Sequence, residues 1–323
     1  RETDHDFGCN PCSEIILRPY QFCNLSEVVV RESDTIEVLK TKVRLATILG
    51  TFQSTLTNFK YLRHVWKKNT EEERLLGVSL TGIMDSTLTA TPSDKLEVML
   101  EMLRDTAVQT NASFATKLKI PQSTAVTCVK PSGTVSQLTD AASGIHARHN
   151  PYYIRTVRGD NKDPLTQFLV SEGIPAEPDV MKPDSTTVFS FPMKSPKGAV
   201  TRTAMTAIEQ LELWLTYQRH WCEHKPSVTI SVKENEWMDV GAWVYEHFDE
   251  VSGISFLPFS EHTYQQAPYQ DIDEDQYKKF LTKMPKHVNW SKLQDFEKED
   301  TTSGGRELAC TAGVCEIVDI SAG

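Results

Sequence analysis

The chain has 323 residues, enough for one large α/β domain or two ordinary ones with a sizeable core. Its composition, 39% hydrophobic and 24% charged, is that of a globular protein, and its net charge of -10 argues against a nucleic-acid partner. No apolar run approaches the length of a membrane span, and the first residues lack the form of a signal peptide. With an odd count of seven cysteines, these features predict a cytoplasmic protein in a reducing compartment, without a membrane partner.

Helices and strands alternate along the predicted fold. Apolar residues at helical spacing predict helices over 34–62, 93–118, 164–172, 203–221 and 234–247. Short apolar runs bounded by Gly, Pro or charge predict strands at 75–83, at the start of 123–144, and at 152–158, 186–192, 227–232 and 253–259. This order is typical of an α/β fold with largely parallel strands.

The composition of the sequence changes near residue 260. Residues 1–259 carry the regular alternation, whereas 260–299 are acidic and predict an extension with short helices. Residues 300–323, which include Cys310 and Cys315, predict a mobile tail. Two thiols with four residues between them on a flexible segment are suited to thiol–disulfide exchange, although an inert pair is an equal alternative.

The segment FGCNPCSEIILRPYQFCNLSE, residues 7–27, concentrates three of the cysteines. Cys9 and Cys12 form a C-x-x-C pair, but a thioredoxin-like site requires a helix after it, and an apolar strand is predicted here. A zinc site would need further ligands. The candidates lie at the end of a predicted helix: His220, Cys222 and His224.

A third interpretation is a reactive Cys12 beside the carboxylate of Glu14, with Cys23 as a redox partner. A carboxylate raises the pKa of a neighbouring thiol, so Glu14 does not serve to make a Cys12 thiolate. This favours chemistry in which Glu14 handles a substrate proton and the cysteine has a different task.

The segment PSGTVS, residues 131–136, follows a predicted strand and opens a helix. Hydroxyls and backbone amides at a helix N-terminus suit a phosphate group, although an ordinary helix cap fits equally well. The segment lacks the lysine of a Walker motif, so ATP hydrolysis is not indicated.

In this order, NPCSEI, a cysteine eleven residues after Cys12, PSGTVSQ followed by SGIH, and a terminal Cys-x4-Cys resemble the large subunits of ribonucleotide reductases. The resemblance is closest to the adenosylcobalamin-dependent class. It implies that residues 1–259 form the C-terminal part of a ten-stranded α/β barrel, with a finger loop near 7–27. Residues 300–323 would then be a flexible tail with redox-active cysteines.

The resemblance also implies a role for each site residue. Cys12 would become a thiyl radical, Glu14 would be the base on the 3′-hydroxyl of a ribonucleotide substrate, and Asn10 would hydrogen-bond the sugar. Cys23 would be half of the dithiol that reduces the 2′ position. Cys310 and Cys315 would re-reduce the resulting disulfide, with thioredoxin or a similar dithiol as the final reductant. The implied phosphate contacts are Ser132, Gly133, Thr134, Val135 and Ser136.

The iron-dependent class carries a stacked Tyr-Tyr pair shortly before its tail, and the tyrosines near the end of this chain are scattered. Adenosylcobalamin is therefore the expected cofactor, and the triphosphate-reducing form the closest type. The first half of the family's barrel, with the partner of Cys23, is not in this sequence. We therefore expect the chain to need that half for activity. The remaining alternatives are an iron-dependent large-subunit fragment, a non-radical thiol–disulfide oxidoreductase and a zinc-stabilised nucleotide-binding module.

Overall fold

The computed structural model describes residues 1, 3–259 and 264–298. These form two compact units. Unit 1 comprises Arg1–Arg148 and Pro196–Phe259, and unit 2 comprises His149–Ser195 and the described part of Ser260–Gly323.

The units only partly follow the predicted division of the chain. The predicted boundary after residue 259 is also a boundary between units, but 149–195 group with unit 2 rather than with the rest of 1–259. The predicted tail, 300–323, lies outside the described residues.

The strands are β1 (Gly8–Cys9), β2 (Ile16–Leu17), β3 (Asn24–Val29), β4 (Leu76–Thr81), β5 (Thr127–Cys128), β6 (Tyr152–Asp160), β7 (Ala176–Pro178), β8 (Thr186–Lys194), β9 (Val228–Val232), β10 (Ile254–Pro258) and β11 (Tyr269–Asp271). The helices are α1 (Ile36–Gln53), α2 (His64–Glu73), α3 (Thr87–Ala90), α4 (Asp94–Leu118), α5 (Thr134–Leu138), α6 (Pro164–Ser171), α7 (Ala207–His220), α8 (Trp237–Glu246), α9 (Glu274–Leu281) and α10 (Leu293–Phe296).

Unit 1 is built on parallel strands. One sheet has the order β3-β4-β5, and β9 pairs with β10. An isolated parallel bridge between Val129 and Pro226 joins the end of β5 to the start of β9. Helices separate the consecutive strands, as parallel pairing requires. The prediction of an α/β fold with largely parallel strands is therefore confirmed for this unit.

Strand β4 shows how the sequence divides the sheet into two faces. Alternate residues of a strand point to opposite sides. Leu76, Val78 and Leu80 belong to the main hydrophobic core with residues of α1, α4 and α7. Gly77 and Ser79 occupy the other face, where small and polar side chains leave room for another segment.

Another segment approaches β4 so closely on this face that position 77 requires glycine. A Cβ atom at this position would lie 2.4 Å from Cδ2 of Leu25 and 3.1 Å from Cδ1 of Ile15. Ile15 follows Cys9 and Cys12 in the sequence. On this face of the sheet it packs in a small hydrophobic cluster with Leu75 and Cys128. The hairpin formed by β1 and β2 therefore lies on the face of the sheet opposite the helices.

Two tryptophans, one in α7 and one directly after it, bind the neighbouring ends of β5 and β9. Trp214 and Trp221 are fully buried. The indole N–H of Trp214 donates to the carbonyl of Pro226 at 2.7 Å, and that of Trp221 donates to the carbonyl of Cys128 at 2.7 Å. These bonds satisfy carbonyls that are buried beside the bridge between β5 and β9, where an unpaired polar group would be costly.

Unit 2 is an antiparallel sheet with the order β11-β6-β8-β7, together with α6, α9 and α10. The strands predicted at 152–158 and 186–192 are present as β6 and β8. Helices α9 and α10 agree with the prediction of short helices between 260 and 299.

The prediction of one helix over 34–62 is wrong at its C-terminal end. Helix α1 ends at Gln53, and a separate helix, α2, follows after a loop. The hydroxyls of Ser54 and Thr55 donate to the carbonyls of Thr51 and Phe52. Such local bonds compete with continuation of the helix.

The buried face of α4 generates a stability prediction. Leu103→Ala should lower the free energy of unfolding by about 2–5 kcal/mol, because Leu103 is fully buried and its truncation leaves a cavity. Urea denaturation measures the change. Leu49→Ala, at a leucine of α1 that is 67% exposed, is the matched control and should cost less than about 1 kcal/mol. Equal losses would contradict the packing described for α4.

Candidate active site

The segment Asn10–Ile15 forms the tip of the β1–β2 hairpin. The amide N–H of Ser13 donates to the carbonyl of Asn10 at 2.8 Å, which closes a turn over Pro11 and Cys12. Pro fits the second position of such a turn because its φ is already restricted. The side-chain Oδ1 of Asn10 accepts from the amide of Ile15 at 3.0 Å. Asn10 therefore stabilises the tip that presents Cys12.

Two contacts hold this tip against the sheet. The amide N–H of Lys225 donates to the carbonyl of Glu14 at 3.0 Å. Gly253 has φ +62, and a Cβ atom there would lie 3.1 Å from Oγ of Ser13. Both contacts come from segments that lead into β9 and β10, so the parallel strands position the hairpin.

The carboxylate of Glu14 is completely buried, and its two oxygens differ. Oε1 accepts from Nζ of Lys130 at 3.1 Å, whereas Oε2 is buried and makes no hydrogen bond to any described residue. Burying a carboxylate costs several kcal/mol unless a cation compensates its charge. Lys130 supplies that charge and leaves Oε2 as the oxygen that can accept a proton from a ligand.

Lys130 also contacts Cys12. Burial opposes the charge of Lys130, but the charges of Glu14 and Cys12 and the hydrogen bonds to them prevail and raise the pKa of the ammonium group. The backbone N–H of Lys130 donates to Oγ of Ser79 at 2.9 Å, so the end of β5 is fixed to the hairpin face of β4. The structure thus brings together Cys12, Glu14 and a lysine that we did not predict.

Cys23 lies beside the same group. It packs against the small cluster that contains Ile15 and Cys128. Burial raises the pKa of the Cys23 thiol, and the charge of Glu14 raises it further. Cys23 is therefore a protonated thiol at neutral pH, able to donate a hydrogen.

The five predicted phosphate contacts fall into two groups. Ser132 and Ser136 are buried and bonded to each other: the amide of Ser136 donates to Oγ of Ser132 at 3.0 Å, and its hydroxyl bonds the Ser132 carbonyl. Gly133, Thr134 and Val135 are partly or fully exposed at the start of α5. Ser132 and Ser136 thus shape the loop, and the other three are the groups that a ligand can reach.

Glu27 faces this loop and is a second residue that the sequence did not predict. Oε2 of Glu27, on β3, accepts from the hydroxyl of Ser132 at 3.0 Å. Burial raises the pKa of Glu27, although the hydrogen bond from Ser132 opposes the shift. The spacing NLSEVVV in a strand places Glu27 on the same face as Leu25, which contacts Gly77, and that alternation could have identified it.

The residues proposed for zinc do not converge. Within the described ranges, no group of three or more His, Cys, Asp and Glu side chains is placed to hold a metal ion. Nδ1 of His220 lies 3.0 Å from Oε1 of Glu101, and Nε2 of His224 lies 2.7 Å from the carbonyl of Leu76. These contacts leave the zinc-stabilised module without structural support.

The other two alternatives also lose support. The C-x-x-C pair is followed by β2, not by a helix, so the thioredoxin-like arrangement is absent from the hairpin. Tyr152 and Tyr153 are consecutive residues of β6 and point to opposite faces of that strand. Tyr152 packs on Tyr277 and Tyr153 on Tyr269, so this pair is not the stacked pair of the iron-dependent class.

Cys310 and Cys315 lie outside the described residues. In the part of the chain that is described, no helix is both long and apolar enough to cross a membrane.

Comparison with known proteins identifies relatives of the whole arrangement. An adenosylcobalamin-dependent ribonucleoside-triphosphate reductase of Euglena gracilis is 30% identical over 289 residues, which are 88% of this chain and 39% of that protein. A probable enzyme of the same name from Dictyostelium discoideum is 29% identical over 330 residues, with 96% of this chain and 40% of that protein covered. The chain is a homologue of the adenosylcobalamin-dependent ribonucleotide reductases. The resemblance found in the sequence is thereby confirmed.

A third reductase relative, from Lactobacillus leichmannii, is 28% identical over 350 residues and covers 96% of this chain and 45% of that protein. A crystal structure of a B12-dependent class II ribonucleotide reductase matches 91% of this chain and 44% of that chain, with a TM-score of 0.76 and 24% identity. This likeness supports the mixed α/β fold. No family model matches the chain. The chain spans less than half the length of each reductase relative named here.

The buried imidazole of His224 generates a pH prediction. Burial lowers its pKa from 6.5 to about 4. As the pH falls through this window, the unfolded chain takes up a proton that the folded chain does not. The free energy of unfolding should therefore fall by about 3 kcal/mol between pH 6.5 and 4.

Urea denaturation at several pH values measures this loss. His224→Gln keeps a donor for the Leu76 carbonyl and removes the titration, so its stability should depend less on pH in this window. Burial also lowers the pKa of His146, which accounts for a remaining slope. An unchanged slope in His224→Gln would contradict the assignment.

Proposed function

We propose that this chain carries the radical and acid–base residues of a ribonucleotide reductase that converts ribonucleotides to 2′-deoxyribonucleotides. The observation that carries the proposal is the arrangement on one hairpin of a thiol, Cys12, and a buried carboxylate, Glu14, with one unbonded oxygen. Removal of a hydrogen atom from a carbon and of a proton from the hydroxyl group on that carbon requires two separate acceptors. The names of the relatives favour a ribonucleoside triphosphate as substrate.

In this proposal the thiyl radical of Cys12 takes the hydrogen atom from C3′ of the ribose, so that an S–H bond forms. Oε2 of Glu14 accepts the proton of the 3′-hydroxyl. The Oδ1 of Asn10 is engaged by the Ile15 amide, so its Nδ2 is the group that donates to the sugar.

Cys23 supplies the reduction at C2′. Its thiol donates the proton with which the 2′-hydroxyl leaves as water. Together with a second thiol it provides the two electrons of the reduction, and a disulfide forms between the two. The hydrogen of the second thiol is added at C2′, Glu14 returns its proton to the 3′ oxygen, and the Cys12 thiol returns its hydrogen atom to C3′. Cys310 and Cys315 reopen the disulfide by thiol exchange, and thioredoxin or a similar dithiol reduces them in turn.

The partial exposure of the Cys12 thiol is compatible with adenosylcobalamin as the radical source. Cys12 is partly exposed at the hairpin tip, where a cofactor can approach its sulfur. Adenosylcobalamin, when bound, supplies the radical that oxidises the Cys12 thiol. Cys12 is the residue of this chain that we assign to that contact.

The phosphate groups of the substrate would bind at the start of α5. The backbone amides of Thr134 and Val135 lie in the first turn, where helical N–H groups have no partner within the helix. The buried pair Ser132 and Ser136 holds the loop in shape. The hydroxyl of Thr134 is exposed and can donate to a phosphate oxygen.

We further propose that a second polypeptide segment, equivalent to the first half of the ten-stranded barrel, completes the site. In the described residues β3 pairs with β4 on one side only, and β10 with β9 on one side only. Beside the open edge of β3, Phe22 stacks on Trp66 with ring centroids 4.7 Å apart and contacts Phe59 at 5.0 Å. A strand that pairs with β3 would cover this aromatic cluster and bring the second thiol to Cys23.

The function can be tested by reconstitution with the homologous first half, adenosylcobalamin, a dithiol and a ribonucleoside triphosphate. The expected result is deoxyribonucleotide formation with a paramagnetic signal of cob(II)alamin coupled to a thiyl radical. Cys12→Ser should abolish both. Product formation by the 323 residues alone would refute the requirement for a second segment, and a coupled signal in Cys12→Ser would refute the radical site.

Glu14→Gln should lower kcat of the reconstituted enzyme by about 10²- to 10⁴-fold, because the amide cannot accept the 3′ proton. The control is Glu37→Gln, at a carboxylate of α1 whose side chain is 79% exposed, and it should leave kcat unchanged. A non-radical thiol–disulfide oxidoreductase would retain its activity in Glu14→Gln, so the same variant separates the two functions.

Thr134→Val should raise KM for the nucleotide about 3- to 10-fold with little change in kcat, since the loss of a neutral hydrogen bond costs about 0.5–1.5 kcal/mol. Steady-state kinetics of the reconstituted enzyme measure the change. Leu138→Val, at an exposed position of the same helix, is the control. An unchanged KM in Thr134→Val would remove Thr134 from the phosphate site.

A further inference from the structure

We propose that Lys130 is a positioning residue that holds the Glu14 carboxylate and orients the Cys12 thiol. No feature of the sequence marked this lysine, and it lies 116 residues from Glu14 along the chain. The inference deepens the proposed function, because it concerns the same two groups. It predicts a property of the chain that can be measured without turnover.

The first step of the argument is the charge of Glu14. A completely buried carboxylate takes up a proton unless a cation is close to it. Nζ of Lys130 lies 3.1 Å from Oε1, within hydrogen-bonding distance. Lys130 thus compensates the charge of a carboxylate that is buried at this position, and its bond to Oε1 leaves Oε2 to accept a proton.

The second step is the contact with Cys12. An ammonium group has three donor hydrogens and no acceptor, so Lys130 can bond Glu14 and Cys12 at once. The two bonds fix the sulfur beside the carboxylate. Without the lysine, the thiol would lose the cation that bonds it, which disfavours a Cys12 thiolate.

The third step is the fixed position of Lys130 itself. Its amide bonds Ser79, and Pro131 follows it, which restricts its backbone to extended conformations. The next residue, Ser132, belongs to the loop assigned to the phosphates. Lys130 is therefore joined on one side to the hairpin and on the other to the substrate loop, and it could contact a phosphate instead of the carboxylate.

Two further titratable groups of the described chain, both thiols, act on Glu14. Cys23, which precedes β3, and Cys128, in β5, act on this cluster, and burial raises the pKa of both thiols. They stay neutral at neutral pH. Arg1 also acts on Cys23, but Lys130 is the cation that bonds both Glu14 and Cys12. Removal of Lys130 should therefore affect both groups.

The first experiment measures alkylation of Cys12 by iodoacetamide in the 323-residue chain, followed by peptide mass spectrometry. In Lys130→Met the rate at pH 8 should fall about 10-fold, because the thiolate loses its cation. Lys130→Arg should restore most of the rate. Cys9, exposed on the same hairpin, is the internal control and should react at an unchanged rate.

Lys225→Met is the matched lysine control, since Lys225 contacts Glu14 through its backbone N–H and the substitution keeps that bond. Cys12 of Lys225→Met should be alkylated at the same rate as Cys12 of the chain without substitutions. Urea denaturation of each variant verifies that it is folded. An unchanged Cys12 rate in folded Lys130→Met would overturn the proposal. If Lys130→Met does not fold, a Cys12 rate in Lys130→Arg below one-tenth of the original would overturn it.

The second experiment uses the reconstituted enzyme. In Lys130→Met the acid limb of the kcat/KM profile should move to higher pH, with KM for the nucleotide nearly unchanged, and Lys130→Arg should reverse the shift. A raised KM with an unmoved pH profile would assign Lys130 to the phosphates and overturn the proposal. Should the alkylation results hold while no variant forms product, the proposed function fails and the role of Lys130 stands.

Discussion

A carboxylate without solvent exposure is the constraint on which the rest of unit 1 depends. Burial of a carboxylate is costly without a nearby cation, and Lys130, which follows β5, lies 3.1 Å from Glu14. That contact requires the hairpin to approach the sheet closely. The approach in turn requires Gly77 and Ser79 on one face of β4, since a Cβ at Gly77 would collide with Leu25 and Ile15.

The helices make this arrangement possible from the opposite face. The apolar residues of β4 and of α1, α4 and α7 form one core, and that core provides most of the hydrophobic stabilisation. The hairpin face contributes a much smaller cluster. Stability and chemistry are therefore assigned to different faces of the same strands, which allows the reactive face to hold a buried charge, an unbonded oxygen and several thiols.

Much of the fold could be predicted from the sequence because it depends on local patterns. The alternation of helices and strands and the strands at 152–158 and 186–192 follow from residue spacing. The end of α1 could not be predicted, because hydroxyl bonds within one turn decide it. The grouping of 149–195 with unit 2 depends on pairing between β6 and β11, which are far apart in sequence.

The candidate site was predicted in its residue types but not in its contacts. Cys12, Glu14 and Cys23 stand out because they lie in one short segment. Lys130 and Glu27 do not stand out, since a lysine before a proline and a glutamate in a strand are usually solvated. Only the parallel pairing of β3, β4 and β5 brings them to the hairpin and to the Ser132 loop. Ser132 and Ser136 look like ligand groups in the sequence but are bonded to each other.

The two tryptophans that are fully buried, Trp214 and Trp221, give this sheet an optical property. Trp214 and Trp221 donate to the carbonyls of Pro226 and Cys128, which lie on either side of the bridge between β5 and β9. Both indoles are shielded from water, so their fluorescence emission occurs at shorter wavelength than that of the exposed Trp290. A ligand that displaces the end of β5 would change these two hydrogen bonds. The chain thus contains its own spectroscopic reporter for the end of β5, which Lys130 follows.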